Sequence, residues 1–269
     1  MSAELPVLFL SHGSPMLPFE DIAARAFMAG LGARLPRPEA ILCISAHWET
    51  PAPAVSGAER PETIHDFYGF PEALYRLEYP APGAPTLARR VCALLGTAGM
   101  AATIDEARGL DHGAWNPLML IYPKADIPVT QLSIQHHAGP AHHLALGRAL
   151  KPLRSEGVVV LASGGAVHNL RQFHIDRERP ADWAVAFDEW LAGRIAAGDA
   201  ASLIEYRRLR PEGKLAHPRD EHFLPLFVAM GAGEGETGRP LHRSFAHGSL
   251  SMAAYGWGEI LPEGTRVAA

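Results

Sequence analysis

The fold is decided by residues 7–15, VLFLSHGSP. The apolar run predicts a buried strand, and the glycine and proline that follow it end the strand in a turn. His12 therefore stands at the carboxyl end of a strand, where open α/β sheets bind their ligands.

Two other stretches of the chain repeat this arrangement. Histidine follows an apolar run in residues 41–48, ILCISAHW, and again in residues 158–168, VVVLASGGAVH. Because the carboxyl ends of parallel strands meet at one edge of a sheet, we expect His12, His47 and His168 at one rim. Imidazoles that converge there indicate a metal site.

Strand-like runs alternate with helical patterns along the chain. This alternation predicts parallel strands with crossover helices, a three-layer α/β/α fold whose central sheet is mostly parallel or mixed. A last edge strand is expected between residues 245 and 255, and one catalytic domain is expected over residues 1–269. The predicted strands are 7–10, 41–45, 102–104, 129–133 and 158–162, and the predicted helices are 19–30, 84–98, 115–122, 140–154, 183–197 and 223–230.

The composition is that of an ordinary globular protein, with 48% hydrophobic and 20% charged residues. The formal charge of -5, with both signs mixed along the chain, is not the basic pattern of nucleic-acid binders. No apolar stretch is long enough for a membrane span, and no signal peptide is recognised, so a cytoplasmic location is expected. Cys43 and Cys92 are interpreted as core thiols.

Fourteen histidines are present, and the residues around each one separate candidate metal ligands from the others. His12 and His47 are the first candidates for metal ligands. Asp220-Glu221-His222 supplies a third, with His222 at the start of a helix and Asp220 interpreted as that helix's cap. His168 is a fourth candidate, and interpreting it as a satisfied rim residue stays open.

The remaining polar candidates have less specific contexts. Asp111 can orient His112 for proton transfer, or it can cap a helix beside an exposed histidine. Ser14 is interpreted as a turn residue. Residues 52–85, rich in proline and aromatics, form a binding loop around His65 or an ordinary surface excursion. Surface positions are predicted for His136, His137, His142, His143, His174, His217, His242 and His247.

The predicted ligand set limits the metal chemistry. Three or four neutral imidazoles without cysteine suit Zn(II) or Fe(II), and an open coordination position makes such a site catalytic. A zinc-dependent hydrolase and a non-catalytic zinc-binding protein both remain possible on these residues alone.

Taken together and in order, several motifs between about Pro6 and Gly256 narrow the choice. They are PVLFLSHGSP (6–15), SAHW (45–48), TIHDF (63–67), YPAPG (79–83), LDHG (110–113), QLSI (131–134), ASGGAVHNL (162–170) and EHFLPL (221–226). In this combination the sequence resembles the LigB-like class III extradiol ring-cleavage dioxygenases, in particular their 4,5-DOPA dioxygenase branch.

The resemblance implies a non-haem Fe(II) enzyme that opens a catechol ring with O₂. It implies that His12, His47 and His222 hold the metal, and that His168 is a further ligand or an acid–base group. His112 is a second candidate for proton transfer. The family's protocatechuate branch completes its metal triad with a glutamate, whereas His222 stands at that place here, which also favours capture of Zn(II).

The resemblance also implies a substrate and its pocket. The expected substrate is L-DOPA, cleaved at the 4,5 bond to a seco-DOPA and betalamic acid, or a related caffeate-like catechol. Cleavage at the 2,3 bond and the oligomeric state stay open. The residues expected around the bound ring are His65, Phe67, Tyr68 and Ser14.

Overall fold

A mixed sheet forms the centre of the protein in a computed structural model that describes residues 4–173 and 179–265. Within these residues eight strands follow the order β4-β3-β5-β2-β6-β1-β10-β7, and β8 and β9 form a separate small hairpin. The strands are β1 Val7–Ser11, β2 Ala40–Glu49, β3 Ala54–Ser56, β4 Thr103–Asp105, β5 Val129–Ile134, β6 Val158–Gly164, β7 Arg239–His242, β8 Phe245–Ala246, β9 Leu250–Ser251 and β10 Ala254–Trp257.

The helices fill the connections between the strands. The α-helices are α1 Ala23–Leu31, α2 Pro85–Thr97, α3 His112–Ile121, α4 Gly139–Leu150, α5 Asp182–Ala196, α6 Ala200–Ile204, α7 Tyr206–Leu209, α8 Pro211–Ala216 and α9 Leu224–Ala232. Short 3-10 turns lie at Leu17–Phe19, Gly32–Arg34, Leu74–Arg76, His136–Ala138, Lys151–Glu156 and Leu170–Gln172. No helix within the described ranges is long and apolar enough to cross a membrane.

Alternate residues of the central strands build two separate cores. In β1, Val7 and Phe9 pack into a core formed with α2, α4, α5 and α9, whereas Leu8 and Leu10 pack against α1 and α3. This follows from the pleat, which points successive side chains to opposite faces. Because both faces are covered, β1 and β6 are buried along their whole length, and the expected three-layer α/β/α fold with a mixed sheet is confirmed.

The edges of the sheet differ from the prediction. Strand β10 is not an edge strand, since it pairs antiparallel with β1 on one side and with β7 on the other. Strand β3 lies inside the segment that was predicted to be a loop, and β4 begins at Thr103. These strands have three or four residues, which is too short to show a periodic pattern. Cys43 is buried and Cys92 half-buried, and both are free thiols.

Candidate metal centre

The sheet register brings His12 and His47 to one level. Strand β6 lies between β1 and β2, and its Ser163 pairs with Leu10 on one side and with Ser45 on the other. Each histidine is two residues beyond that level, at the carboxyl end of the parallel strands. His47 does not follow its strand as predicted, because β2 continues to Glu49 beyond an irregularity in its pairing with β5.

His222 reaches this place through a turn that packs against the end of β6. The backbone NH of Gly165 donates to the carbonyl of His222 over 2.8 Å. Gly164 permits this approach, since a Cβ atom there would lie 2.1 Å from the same carbonyl oxygen. His222 precedes α9, which begins at Leu224, rather than lying in its first turn.

Three imidazole nitrogens meet at the rim. The Nε2 atom of His47 lies 3.0 Å from Nε2 of His12 and 3.1 Å from Nε2 of His222. His12 and His222 are buried, with 1% and 6% of their surface exposed, and His47 is half-buried. One ion with metal–nitrogen bonds of about 2.1 Å can bridge nitrogens at these spacings.

Hydrogen bonds on the opposite side of the His12 ring decide its tautomer. The hydroxyl of Ser163 donates to the carbonyl of Gly113 and lies 2.9 Å from Nδ1 of His12. Because the single hydroxyl proton is already used, Ser163 accepts a hydrogen bond from the Nδ1–H of His12. The Nε2 atom of His12 is therefore unprotonated in the neutral ring.

Carboxylates fix the other two rings in the same sense. Nδ1 of His222 lies 2.9 Å from Oε1 of Glu221, and Nδ1 of His47 lies 3.3 Å from Oδ2 of Asp66. A carboxylate only accepts, so Nδ1 of His222 carries the proton in its hydrogen bond to Glu221. Asp66 contacts His47 at ion-pair distance without hydrogen-bond geometry, and its negative charge favours the proton on the Nδ1 that faces it. Both Nε2 atoms then carry a lone pair. Carboxylate anchoring of this kind is the usual support of metal-binding histidines.

The cluster is uncharged and suited to a cation. Burial, followed by the neighbouring imidazoles, holds the pKa of His12 and of His222 well below the ordinary value. Burial, together with His112, lowers the pKa of His47 to about 4. Lone pairs directed at one point repel each other, and a metal ion would convert that repulsion into three bonds. The donor set, neutral nitrogens without thiolate, fits Fe(II) or Zn(II).

Two more histidines lie against this centre. The ring of His168 stacks on His222, with centroids 3.5 Å apart and an angle of 11° between planes. The ring of His112 lies 3.9 Å from that of His47, and its Nδ1 is 2.9 Å from Oδ2 of Asp66. Burial, followed by the charge of His112, lowers the pKa of His168 to about 4, so this ring is neutral near pH 7.

Asp111 does not cap helix α3 with its side chain, and His112 is not exposed. The Asp111 carboxylate is buried beneath the site, where it accepts hydrogen bonds from Ser45, Gln131 and Arg108. His112 is 4% exposed. The alternative in which Asp111 caps a helix with its side chain is wrong, because strands β2 and β5 supply partners, Ser45 and Gln131, that no local pattern reveals.

Sequence reasoning also missed the role of Asp66. Its Oδ2 contacts both His47 and His112, and its Oδ1 accepts the backbone NH of His112 at 2.8 Å. Burial raises the pKa of this carboxyl, but the hydrogen bonds from His112 and the charges of His112 and His47 outweigh burial and bring it to about 2. The only signal in the sequence was its place in the motif TIHDF.

Part of the predicted pocket lies beside the histidines. The Phe67 ring is 5.7 Å from the rings of both His112 and His65, and Nε2 of His65 hydrogen-bonds the carbonyl of Leu77 at 3.0 Å. Tyr68 differs from the expectation, since 92% of its surface is exposed and the ring faces solvent. The Ser14 hydroxyl accepts the backbone NH of Met16, as expected of a turn residue.

Three other polar residues differ from their predictions, and a fourth lies outside the described residues. Packing buries His143 and His217 completely rather than leaving them at the surface, and backbone groups hydrogen-bond their rings. Asp220 pairs with His136 at 2.9 Å instead of capping α9 with its side chain. His174 lies outside the described residues.

Comparison with known proteins agrees with this architecture. Residues 6–258 match the family described as the catalytic LigB subunit of aromatic ring-opening dioxygenase. Three curated relatives carry the name 4,5-DOPA dioxygenase extradiol. They come from Beta vulgaris (45% identity over 92% of this chain and 94% of the relative), Portulaca grandiflora (46%, 92% and 93%) and Escherichia coli K12 (44%, 93% and 94%). The crystal structure of an uncharacterized protein from Escherichia coli K12 superimposes with a TM-score of 0.80 at 38% identity, covering 94% of this chain and all of that one.

Proposed function

Because this chain belongs to the LigB family of aromatic ring-opening dioxygenases, we propose that it uses Fe(II) to open the ring of L-DOPA or a related catechol. Extradiol ring cleavage itself follows from the family and from the relatives. The metal, the substrate and the residues that act on it form the proposal.

The convergence of Nε2 atoms from His12, His47 and His222 carries the proposal. Each ring is anchored through Nδ1, so each presents a lone pair to the same point. Fe(II) held there would supply the redox chemistry that allows O₂ to react with a catechol, and it would lower the pKa of a bound hydroxyl group.

His112 and His168 are the proposed proton carriers. The Nδ1–H of His112 is held by Asp66, which leaves its Nε2 free to take a proton from a catechol hydroxyl. His168 is neutral near pH 7 and is stacked on the ligand ring of His222, so it is a second acceptor. Once protonated, either imidazole can return its proton to an oxygen atom later in the reaction.

The aromatic segment, which is the proline- and aromatic-rich stretch of residues 52–85, is the proposed wall of the substrate pocket. Phe67 contacts the ring of His112 and packs against Phe70, Tyr75 and Trp115 with ring centroids 5.3, 5.3 and 6.3 Å away. A planar aromatic substrate gains favourable ring contacts on such a surface, and its hydroxyl groups then point toward the histidines. L-DOPA is proposed as the substrate because the relatives are named for it.

Oxygen uptake by metal-loaded protein tests the proposal. Metal-free protein is loaded anaerobically with one equivalent of Fe(II) or of Zn(II) and is then mixed with L-DOPA, caffeate or resorcinol in aerated buffer. We expect one O₂ consumed per L-DOPA with Fe(II), a seco-DOPA product heavier by two oxygen atoms that loses one water on cyclisation, and no uptake with resorcinol, whose 1,3-diol cannot chelate a metal.

The same assay separates the alternatives. Uptake with caffeate but not with L-DOPA would move the proposal to another catechol, and NMR of the product distinguishes 4,5 from 2,3 cleavage. A protein that ignores O₂ with every catechol, yet hydrolyses esters when loaded with Zn(II), would contradict the proposed function.

A further inference from the structure

One carboxylate oxygen serves two imidazoles at the edge of the candidate metal centre. Oδ2 of Asp66 lies 2.9 Å from Nδ1 of His112 and 3.3 Å from Nδ1 of His47. The other oxygen, Oδ1, accepts the backbone NH of His112 at 2.8 Å. His12 and His222 differ, since each has an anchor of its own in Ser163 or Glu221.

This arrangement determines where the ring protons are. Nδ1 of His112 donates to Oδ2, because a carboxylate has no proton to donate, and the negative charge of the same oxygen favours hydrogen on the Nδ1 of His47 that faces it. In the neutral rings both Nε2 atoms are therefore unprotonated. His47 uses that lone pair toward the metal position, and His112 has it available beside the substrate position, where the rings of His47 and His112 lie 3.9 Å apart.

We propose that Asp66 is a positioning residue that holds His47 and His112 in the same tautomer, so that one group prepares both a metal ligand and a proton acceptor. The part of the proposal that concerns proton transfer by His112 rests on the proposed function. The part that concerns the tautomers does not, because it follows from the contacts of Asp66 alone.

Asp66 and Phe67 are neighbours in the aromatic segment, so both contact His112 when this segment packs against the metal centre. The ring of Phe67 packs against His112 while the carboxylate of Asp66 holds the same ring. Docking of the segment that forms the pocket wall thus also prepares the two imidazoles. Packing of one segment would therefore form the pocket wall and also orient His47 for metal binding.

Substitution by asparagine distinguishes this role from simple packing. In Asp66→Asn the amide oxygen must stay at the Oδ1 position, because the backbone NH of His112 can only donate. The amide NH₂ then takes the place of Oδ2 and donates toward both rings, which makes their Nδ1 atoms acceptors and moves the ring protons to Nε2. Asp66→Ala, in contrast, leaves both rings free to choose their tautomer.

The test compares these two variants with wild type and with Asp126→Asn, a surface control whose carboxylate pairs with exposed Arg37. Two-bond ¹⁵N–¹H spectra of metal-free protein labelled at histidine report the tautomer of each ring. Titration with Zn(II) against a chelator reports the metal affinity. Thermal melting confirms that each variant is folded.

We expect Asp66→Ala to weaken Zn(II) binding by about 10- to 100-fold, the usual effect of removing a carboxylate behind a ligand histidine. Asp66→Asn should weaken it further, although asparagine has the same shape as aspartate, and should convert two rings from Nδ1–H to Nε2–H. Asp126→Asn should match wild type in both measurements.

Zn(II) affinity in Asp66→Asn equal to or higher than in Asp66→Ala would overturn the proposal, as would unchanged tautomers in Asp66→Asn. Both outcomes would reduce Asp66 to a packing residue. Neither readout uses a catechol or O₂, so failure of the proposed function leaves this test intact, and the reverse also holds.

Discussion

Two groups of histidines in this protein differ in the partners of their ring nitrogens. His12, His47 and His222 at the sheet rim are anchored through Nδ1 and direct Nε2 at a common point. His143, in contrast, donates from Nδ1 to the carbonyl of Gly139 at 2.7 Å and accepts the backbone NH of Gln135 at Nε2. Nε2 of His217 lies 3.0 Å from the carbonyl of Ala166.

Burial and a low pKa are common to both groups, so neither identifies a ligand. Burial lowers the pKa of His143 to about 4 and of His217 to about 3, and it depresses the rim histidines in the same way. The groups differ in the partner of Nε2, which is a backbone group for His143 and His217 and another imidazole for the rim histidines. The comparison can be tested by removing members of each group.

The largest effect is expected from His12→Ala. The variant loses one of three converging nitrogens, so its Zn(II) affinity should fall by about 10²- to 10³-fold, taking roughly 3–4 kcal/mol per ligand from typical zinc sites. Turnover at limiting metal should be lost with it. Folding of the metal-free protein should be retained, since one source of lone-pair repulsion disappears. Chelator competition and thermal melting measure both, and wild-type metal content would remove His12 from the ligand set.

His168→Ala should leave the metal in place and reduce turnover. Loss of a general acid–base group typically costs about 10²- to 10⁴-fold in rate. His168 stacks on His222 without sharing the point where the three Nε2 atoms meet, so metal affinity should change little. Steady-state O₂ uptake at saturating Fe(II) checks the rate, and an unchanged kcat would leave His112 as the proton carrier.

His143→Ala should show the opposite behaviour to His12→Ala. Its removal leaves the carbonyl of Gly139 and the NH of Gln135 without their ring partner, at a cost of about 1–3 kcal/mol for a buried group left unsatisfied. Metal affinity should equal that of wild type. Urea unfolding and Zn(II) titration of the same sample provide the check, and a loss of metal with unchanged stability would reverse the assignment.

The smallest effect, counted per pH unit, is expected in the pH dependence of stability. In the folded protein burial holds the pKa of His217 at about 3, while its value in the unfolded chain is ordinary, about 6.5. As the pH falls below 6.5, the unfolded state binds a proton that the folded state does not. The free energy of unfolding therefore decreases by up to about 1.4 kcal/mol per pH unit on account of this ring.

His217→Gln removes that titration and keeps a donor for the carbonyl of Ala166. Between pH 6.5 and 4 its unfolding free energy should depend less steeply on pH than that of wild type, by up to one proton. Urea titrations at several pH values measure the difference. Parallel curves would mean that the folded protein accommodates the charged ring.

The sequence predicted the centre of the fold and the rim because both depend on strong local signals. Apolar runs located β1, β2 and β6, and strand polarity then placed His12 and His47 at one edge. The context of residues 220–222 offered a carboxylate and an imidazole as a possible third ligand, and the resemblance to a family selected His222.

What the sequence could not predict depends on contacts between distant segments. Asp66 reaches His112 across 46 residues, and Ser163 reaches His12 across 151. His143 and His217 were misplaced for the same reason, since their environment is created by packing and not by their neighbours in sequence. Tyr68 was misplaced because aromatic character alone does not say on which side of a loop a ring lies.

X-ray absorption at the iron edge of the Fe(II)-loaded protein tests the central claim most directly. Multiple scattering counts the imidazoles bound to the metal. The convergence of His12, His47 and His222 predicts three, with iron–nitrogen distances of about 2.1 Å as in other imidazole sites, and two in His12→Ala. Fewer than three imidazoles in wild type, or the same number in wild type and His12→Ala, would contradict it.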